Sequence, residues 1–374
     1  MSAFSEAPTL GPSTAIGRWV GLGPYYAMFP SSFAFDVVNE YCATGGAVLD
    51  PFAGRASSIF AAATCGRTGI GIEINPVGWL YGRVKLAPAT KCDVLDRIRV
   101  IANAAHQVGQ DLVEALPEFF THCYTPSVLR FLLAARAGLQ WQSNAVDASL
   151  MAILLVNLHG KRSQSLSNQW RQGKSMSPGY SVRWWKEKKL SPPDIDPVDF
   201  LVARVEWRYA KGIPCLHDAQ VLLGDSTSLL LELDRDLYLG QRTKFDLLFT
   251  SPPYFAVTNY NYDQWLRLWM LGGPSLPIKS SGLWQGRFEA KTAYQSLIKD
   301  VFRACSALLA DDANVYVRTD ARKFTLDTNV TALREIFPSH DMRIIPRPLT
   351  RQTQTALFGD KSNKPGEMDI VLRR

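Results

Sequence analysis

The chain has 374 residues, 47% hydrophobic and 20% charged, with a formal net charge of +7. That balance describes an ordinary soluble globular chain of two domains or one elaborated domain. No apolar run reaches the roughly 20 residues of a membrane span, and no signal-peptide pattern opens the chain. Six scattered cysteines without a Cys-x-x-Cys pair, beside five dispersed histidines, argue against a metal site and for a reducing compartment.

In chain order, residues 1–22 read as a loose leader. After Gly23-Pro24-Tyr25-Tyr26-Ala27-Met28-Phe29-Pro30 an amphipathic helix is predicted over Ser32–Tyr41, ended by Gly45-Gly46. Ala47-Val48-Leu49 reads as a buried strand that runs into the turn Asp50-Pro51-Phe52-Ala53-Gly54-Arg55 and a small-residue helix, Ala56–Cys65. Gly69-Ile70-Gly71-Ile72-Glu73 is a second strand with an acid at its tip, followed by Ile74-Asn75 and a helix from Pro76 to Val84. Strand, tight turn, helix, strand and acid form the βαβ layout of a nucleoside site. Small turn residues let backbone N–H groups approach a ligand, and Glu73, 23 residues after Asp50, is placed to take both hydroxyls of a ribose. The same residues also read as a helix cap and a solvated strand end. No Gly-x-Gly-x-x-Gly is present, so a dinucleotide is not supported.

From about 90 to 215 the character changes. Helical spacing of apolar residues runs over Asp93–Gln110, Ser127–Gln140, Asp147–His159 and Pro197–Ala210, around an irregular stretch broken by Pro178-Gly179 and Pro192-Pro193. Between 161 and 190 lie Lys161, Arg162, Arg171, Lys174, Arg183, Lys186, Lys188 and Lys189 against one acid, Glu187, a net +7 equal to that of the whole chain. Interleaved with Asn168, Gln169, Trp170, Tyr180, Trp184 and Trp185, these bases fit phosphate contacts together with base-edge or stacking contacts. A solvated loop whose tryptophans plug a small core is the competing reading.

The sheet then resumes. Gln220–Leu223 is a strand ending in Gly224-Asp225-Ser226, where Asp225 fits an acceptor for an exocyclic amine or a helix cap. Lys244–Thr250 is a strand that runs into Thr250-Ser251-Pro252-Pro253-Tyr254. Two prolines stiffen this loop and leave carbonyls to accept. A hydroxyl, rigid acceptors and an aromatic face at a strand's carboxyl end suit the holding of a planar amine under a stacked ring. One helix over Asn259–Leu271, helices Tyr294–Leu309 and Leu326–Ile336, and strands Asn314–Arg318, Met342–Pro346 and Met368–Leu372 complete an α/β domain.

Together these pieces resemble the S-adenosylmethionine-dependent DNA amino-methyltransferases. Asp50-Pro51-Phe52-Ala53-Gly54 looks like the cofactor loop of that family, Gly71-Ile72-Glu73-Ile74-Asn75-Pro76 like its ribose motif, and Gly224-Asp225-Ser226 like its adenine-side motif. Tyr25–Phe33 resembles the segment covering the methionine end, with Tyr26 and Phe29 as contacts, and Thr250 closes the cofactor side. Ser251-Pro252-Pro253-Tyr254 resembles the catalytic loop in the serine form more typical of cytosine-N4 than of adenine-N6 enzymes. The similarity covers roughly 23–86 and 218–374. The family's Gly-x-Gly-Thr is here Gly54-Arg55-Ala56-Ser57, without the second glycine.

The resemblance implies a Rossmann-like class I methyltransferase fold: a doubly wound, mostly parallel seven-stranded sheet, carried by 1–89 and 216–374. The largely helical insertion at 90–215 is not matched, and the family's commonest arrangement places the recognition region after Gly224-Asp225-Ser226; it is the charge and position of the insertion that assign it as the target-recognition region. The resemblance also implies S-adenosyl-L-methionine as cofactor, flipped-out cytosine N4 in double-stranded DNA as substrate, and a cytoplasmic, nucleoid-associated place in a restriction-modification or similar prokaryotic system with a cognate endonuclease. Adenine-N6 methylation, RNA base methylation and a non-catalytic nucleic-acid-binding scaffold are the alternatives. Pro214-Cys215 lies outside any recognisable catalytic setting, which disfavours carbon-5 methylation.

Overall fold

A computed structural model describes residues 9–24, 30–161, 164–169, 174–256, 260–278, 290–347 and 366–374. The chain begins with α1 (Ala15–Val20) and α2 (Ser31–Tyr41), then β1 (Ala47–Asp50), α3 (Ser57–Thr64), β2 (Thr68–Glu73) and α4 (Pro76–Leu86). Helices follow: α5 (Lys91–Ala105), α6 (Gln110–Glu114), α7 (Glu118–Cys123), α8 (Pro126–Gly138), α9 (Ala145–Asn157), α10 (Pro178–Glu187) and α11 (Pro197–Tyr209). The last part alternates again: β3 (Ala219–Leu223), α12 (Ser226–Tyr238), β4 (Phe245–Thr250), α13 (Tyr260–Asp263), α14 (Trp265–Met270), α15 (Lys291–Leu308), β5 (Leu309–Asp320), α16 (Lys323–Ile336), β6 (Asp341–Arg347) and β7 (Glu367–Arg373).

The strands form one sheet in the order β3-β2-β1-β4-β5-β7-β6. β3 through β5 are mutually parallel, and β7 runs antiparallel between β5 and β6. This is the seven-stranded, mostly parallel, doubly wound Rossmann-like sheet of the class I methyltransferase fold. Strands covered on both faces read as continuous apolar runs rather than alternations, and β1 and β4 do so, with Ala47–Leu49 and Leu247–Phe249 all buried. The chain order reverses at β1, between β2 and β4, so the crevice outside the carboxyl ends of these strands is where such a sheet binds ligands.

Each face of the sheet carries its own core. On one, Leu49, Ile72, Leu248 and Val315 pack with α12, α15 and α16 through Leu230, Phe302 and Leu333. On the other, Val48, Leu247 and Phe249 pack with α1–α4, and the same apolar cluster continues into α5–α11 through Ile98, Leu132, Leu154 and Val205. The helices of the middle segment thus extend one face of the sheet without a break in the core.

Several sequence expectations change. Residues 9–22 are not a loose leader: Trp19 and Leu22 are fully buried, and Trp19 Nε1 donates to Gly212 O at 3.0 Å. A six-residue helix is too short to show periodicity, and one tryptophan anchors it. The irregular stretch contains α10, whose first residue is Pro178. Read as a breaker, that proline instead starts the helix, because the first helical position needs no N–H. The single helix expected over Asn259–Leu271 is two, α13 and α14, separated at Gln264. The helix expected over Asp93–Gln110 ends earlier, at Ala105 in α5, and Gln110 instead opens α6.

Candidate active site

Four strand ends meet at the crevice. At the tip of β1, Asp50 is 1% exposed. Its Oδ1 accepts from Phe52 N at 3.1 Å and from Thr250 Oγ1, at the end of β4, at 2.6 Å. Its Oδ2 accepts from Ser58 Oγ on α3. Burial pushes the Asp50 carboxyl up to about 6, with the Ser58, Thr250 and Phe52 donors pulling it back down. Asp50 therefore shapes the loop from within, and its oxygens are occupied by the protein.

The loop lies across β2, with Ala53 N donating to Ile72 O at 2.9 Å. Gly54 and Ala56 both have positive φ, 55° and 59°. Ala56 takes the left-handed conformation that a glycine would favour. Arg55 between them points inward, donating from its guanidinium to Gly23 O at 3.0 Å. Lys85 of α4 donates to Arg55 O at 2.6 Å, so the leader, the loop and α4 are tied together. The approach is close: a Cβ on Gly78 would lie 2.8 Å from Gly54 O.

Glu73, at the tip of β2, is 8% exposed. Its Oε1 accepts from Asn75 N at 2.7 Å. Burial pushes its carboxyl up to about 7, and the N–H groups of Asn75 and Gly54 hold it below what burial alone would give. A carboxylate this costly to ionise, beside a glycine turn, suits a ligand with vicinal hydroxyl donors. Ile74 beside it is half-buried. At β3, Gly224 N donates to Glu73 O at 3.1 Å. Asp225 caps α12, accepting from Thr227 N at 3.0 Å, and Ser226 Oγ donates to Pro51 O. Asp50, Pro51, Phe52, Ala53, Gly54, Glu73, Asp225, Ser226 and Thr250 are thus joined directly or through one neighbour.

The loop after β4 is held from β7 and α15. Tyr294 Oη donates to Pro253 O at 2.9 Å, so that carbonyl is occupied, contrary to the expectation of free carbonyls. Phe255 packs on Tyr294 and Phe324 with centroids 5.6 and 4.7 Å apart. Tyr254 Oη donates to Glu367 Oε1 at 3.3 Å. Burial, followed by the Glu367 carboxylate, pushes the Tyr254 phenol well above its ordinary range.

Glu367 is held in turn. Arg318 of β5 reaches Glu367 Oε2 at 3.4 Å and pairs with Asp369 at 2.6 Å. Burial would raise the Asp369 carboxyl, but Arg318, Tyr316 and Arg347 hold it below its ordinary value. The register of β5 with β7 places Arg318 opposite Asp369 and Asp320 opposite Glu367. Sequence reasoning alone misses Glu367, Arg318 and Tyr294; charged residues inside an apolar strand such as β7 are the signal that could have found them.

Of the basic residues, Lys161, Arg183, Lys188 and Lys189 are exposed. Lys186 is paired with Glu118, and Lys174 with Asp263 at 2.9 Å. Arg162 and Arg171, like Tyr26 and Phe29 on the cofactor side, lie outside the described residues, as does Trp170. The aromatic and amide part of that expectation changes. Trp185 is fully buried, stacks near Phe119 with centroids 5.4 Å apart and donates to Asn168 O at 3.2 Å. Asn168 and Gln169 are buried too. Trp185 fills the core, because a tryptophan on α10 facing α7 buries more apolar area than solvent exposure allows. The segment is tied to the chain following the Pro-Pro loop, with Ser175 N donating to Asp263 O at 2.8 Å and Trp265 Nε1 to Met176 O at 3.1 Å. Among the described residues no cluster of three or more His, Cys, Asp or Glu is arranged to hold a metal ion, and no helix is long and apolar enough to cross a membrane.

No protein-family model and no curated protein matches this chain. Among solved structures, it is similar to the rRNA methyltransferase AviRa from Streptomyces viridochromogenes, at 12% identity and a TM-score of 0.36, over 100% of this chain and 96% of that one. It is also similar to TrmN from Thermus thermophilus, at 11% identity and a TM-score of 0.33, over 95% of this chain and 51% of that one. The chain thus spans about half the length of TrmN. Likenesses this slight say nothing of substrate.

Proposed function

We propose that the chain is an S-adenosylmethionine-dependent methyltransferase acting on the exocyclic amine of a base in double-stranded DNA, with N4 of cytosine as the target. The observation that carries this reading is the 2.6 Å hydrogen bond from Thr250 to Asp50, which sets an amine-accepting loop beside a nucleoside-type loop. Glu73 would hold the ribose hydroxyls, Asp225 the adenine amine, and the turn at Ala53-Gly54 the remainder of the cofactor. The cofactor supplies an electrophilic methyl group. Ser251 Oγ and the Pro252 carbonyl accept the N–H groups of the amine, which favours a pyramidal nitrogen with its lone pair toward that methyl. The target base must leave the duplex to reach the loop, and stacking on Tyr254 returns about 1–3 kcal/mol of the cost. The rate then comes mainly from positioning and from acceptors matched to charge building on nitrogen.

The serine form of the loop favours cytosine over adenine, and the exposed lysines around α10 fit a DNA backbone, with a restriction endonuclease as the partner of such a system. The test is to incubate the protein with S-adenosylmethionine and unmethylated genomic DNA, digest to nucleosides and identify products by mass spectrometry. N4-methylcytosine is expected. N6-methyladenine would overturn the base assignment alone. Methylation of RNA instead of DNA would overturn the substrate class, and absence of cofactor binding would overturn the enzyme reading.

A further inference from the structure

Buried positive charge gathers behind the turn that follows β1. Arg55, inside the turn, is 6% exposed, and Lys85 of α4 is fully buried. Lys85 Nζ donates to Arg55 O at 2.6 Å, and Arg208 of α11, also buried, donates to Arg18 O. A buried cation is costly without a counter-charge. Burial accordingly pulls Arg55 down to about 10. It pulls Lys85 well below the usual lysine range, and the Arg55 and Arg208 charges lower Lys85 further.

The chain around Arg55 supplies no acid to offset this. Neither Asp nor Glu occurs from Ala7 to Phe35, from Pro51 to Ile72 or from Ile74 to Cys92, which takes in α1, the turn, α3 and α4. Of the two acids that bracket the turn, Asp50 is held by Phe52, Thr250 and Ser58, and Glu73 accepts from Asn75 N. Two polar atoms here are buried with no hydrogen-bond partner among the described residues, Arg55 Nε and Tyr81 Oη. Both side chains flank Gly23. Arg55 Nη1 donates to its carbonyl at 3.0 Å, and the Tyr81 ring packs so closely that a Cβ on Gly23 would lie 2.3 Å from it.

Sheet order indicates which ligand group comes to this place. Along β3-β2-β1-β4, Asp225 follows β3, Glu73 ends β2, the Arg55 turn follows β1 and the Ser251 loop follows β4. A cofactor with its adenine at Asp225 and its ribose at Glu73 continues toward the turn after β1, and its far end is an amino acid.

We infer that Arg55 binds the carboxylate of the cofactor's methionine end. The inference rests on the methyltransferase reading of the site. With Nη1 anchored on Gly23, the guanidinium edge formed by Nε and Nη2 offers the two parallel donors that match a carboxylate. The positive φ of Gly54 and Ala56 turns this side chain inward, and Lys85 fixes the peptide from which it leaves. The ligand then brings the counter-charge that the protein lacks.

The test is titration calorimetry on the full chain with two ligands, S-adenosylmethionine and its decarboxylated analogue, which keeps the nucleoside, sulfonium and amine. The wild type should prefer S-adenosylmethionine by roughly 10- to 100-fold. Arg55→Gln should lose about that much affinity for S-adenosylmethionine and bind the analogue within a few-fold of the wild type, which also shows that the variant is folded. Arg55→Lys keeps a buried cation without the planar fork and should fall between the two.

An equal loss for both ligands in Arg55→Gln would mean that Arg55 only shapes the turn, and would overturn the inference. So would no loss for either. A wild type that binds the two ligands equally overturns it without recourse to any variant, while leaving the methyltransferase reading intact. A wild type that binds neither ligand overturns both.

Discussion

Thr250 Oγ1 donates to Asp50 Oδ1 at 2.6 Å across 200 residues of chain. Both side chains are buried, and each ends a parallel strand, β4 and β1, paired through Val48 with Leu247 and Leu49 with Leu248. The bond fixes the distance between the turn that would hold a cofactor and the loop that would hold its acceptor.

Replacing Thr250 by Val keeps its shape and removes the donor. The buried Asp50 carboxyl is then short of one of its three hydrogen bonds, which costs about 1–3 kcal/mol. Urea unfolding of Thr250→Val should show that destabilisation, and calorimetry a weaker S-adenosylmethionine affinity, while Thr250→Ser retains most of both. Unchanged stability and affinity in Thr250→Val would remove this bond from the site's framework.

As the proposed ribose ligand, Glu73 should make cofactor affinity depend on pH. Burial raises its folded carboxyl from 4.5 to about 7, so the folded chain holds a proton that the unfolded chain has released. Stability from this group is present below about 4.5 and is lost as pH rises through about 7. A ribose donating hydroxyls to the ionised carboxylate opposes that loss. Affinity should therefore strengthen with rising pH through this window, with a proton released on binding. Titration calorimetry in buffers of different ionisation enthalpy measures that proton. Glu73→Gln should bind more weakly and show no such release; a wild-type affinity independent of pH would count against Glu73 as the ribose ligand.

Ser251→Ala and Tyr254→Ala should lower methyl transfer by ~100-fold or more while leaving cofactor affinity within a few-fold, because the proposed mechanism gives both side chains contacts to the acceptor base and none to the cofactor. Tyr294→Phe acts differently. It frees the Pro253 carbonyl, loosens the loop at a cost of about 1 kcal/mol and should lower turnover by roughly tenfold without abolishing it. Radiolabelled methyl incorporation distinguishes these ranks, and full activity in Ser251→Ala or Tyr254→Ala would refute the mechanism.

The lysines at the C-terminal end of α10 and just beyond it are not equivalent. Lys188 and Lys189 are exposed, whereas Lys186 already pairs with Glu118. Substituting Lys188 or Lys189 by Gln should flatten the log–log salt dependence of DNA affinity by about 0.9 for each phosphate that the variant no longer neutralises. Lys186→Gln should change it less. Fluorescence anisotropy across a salt series measures the slopes; if all three leave the slope unchanged, α10 lies outside the interface.

All seven strands were legible in the sequence. Buried parallel strands are short apolar runs with turn residues at their ends, and Ala47–Asp50 and Phe245–Thr250 carry that signal without long-range information. Elements built from a few residues were not legible. α1 is held by Trp19 against Gly212, and α10 begins at a proline that composition alone reads as a break. Ala56 was not legible either: it takes a left-handed φ of 59° without a glycine to signal it, at a cost of about 1 kcal/mol.

By itself the sequence determined the order of the strands' chemistry: an acid or a hydroxyl at the end of β1, β2, β3 and β4, and a stiff acceptor loop after the last. Those features are local, set by which residue follows an apolar run. Tertiary structure decided which groups face a ligand and which face the protein. Asp50 turned inward because Thr250 and Ser58 surround it, and Trp185 turned inward because Phe119 does. Antiparallel pairing of β7 with β5 brought Glu367 and Arg318 to Tyr254, a meeting that rests on strand register and so on hydrogen bonds between segments far apart in the chain.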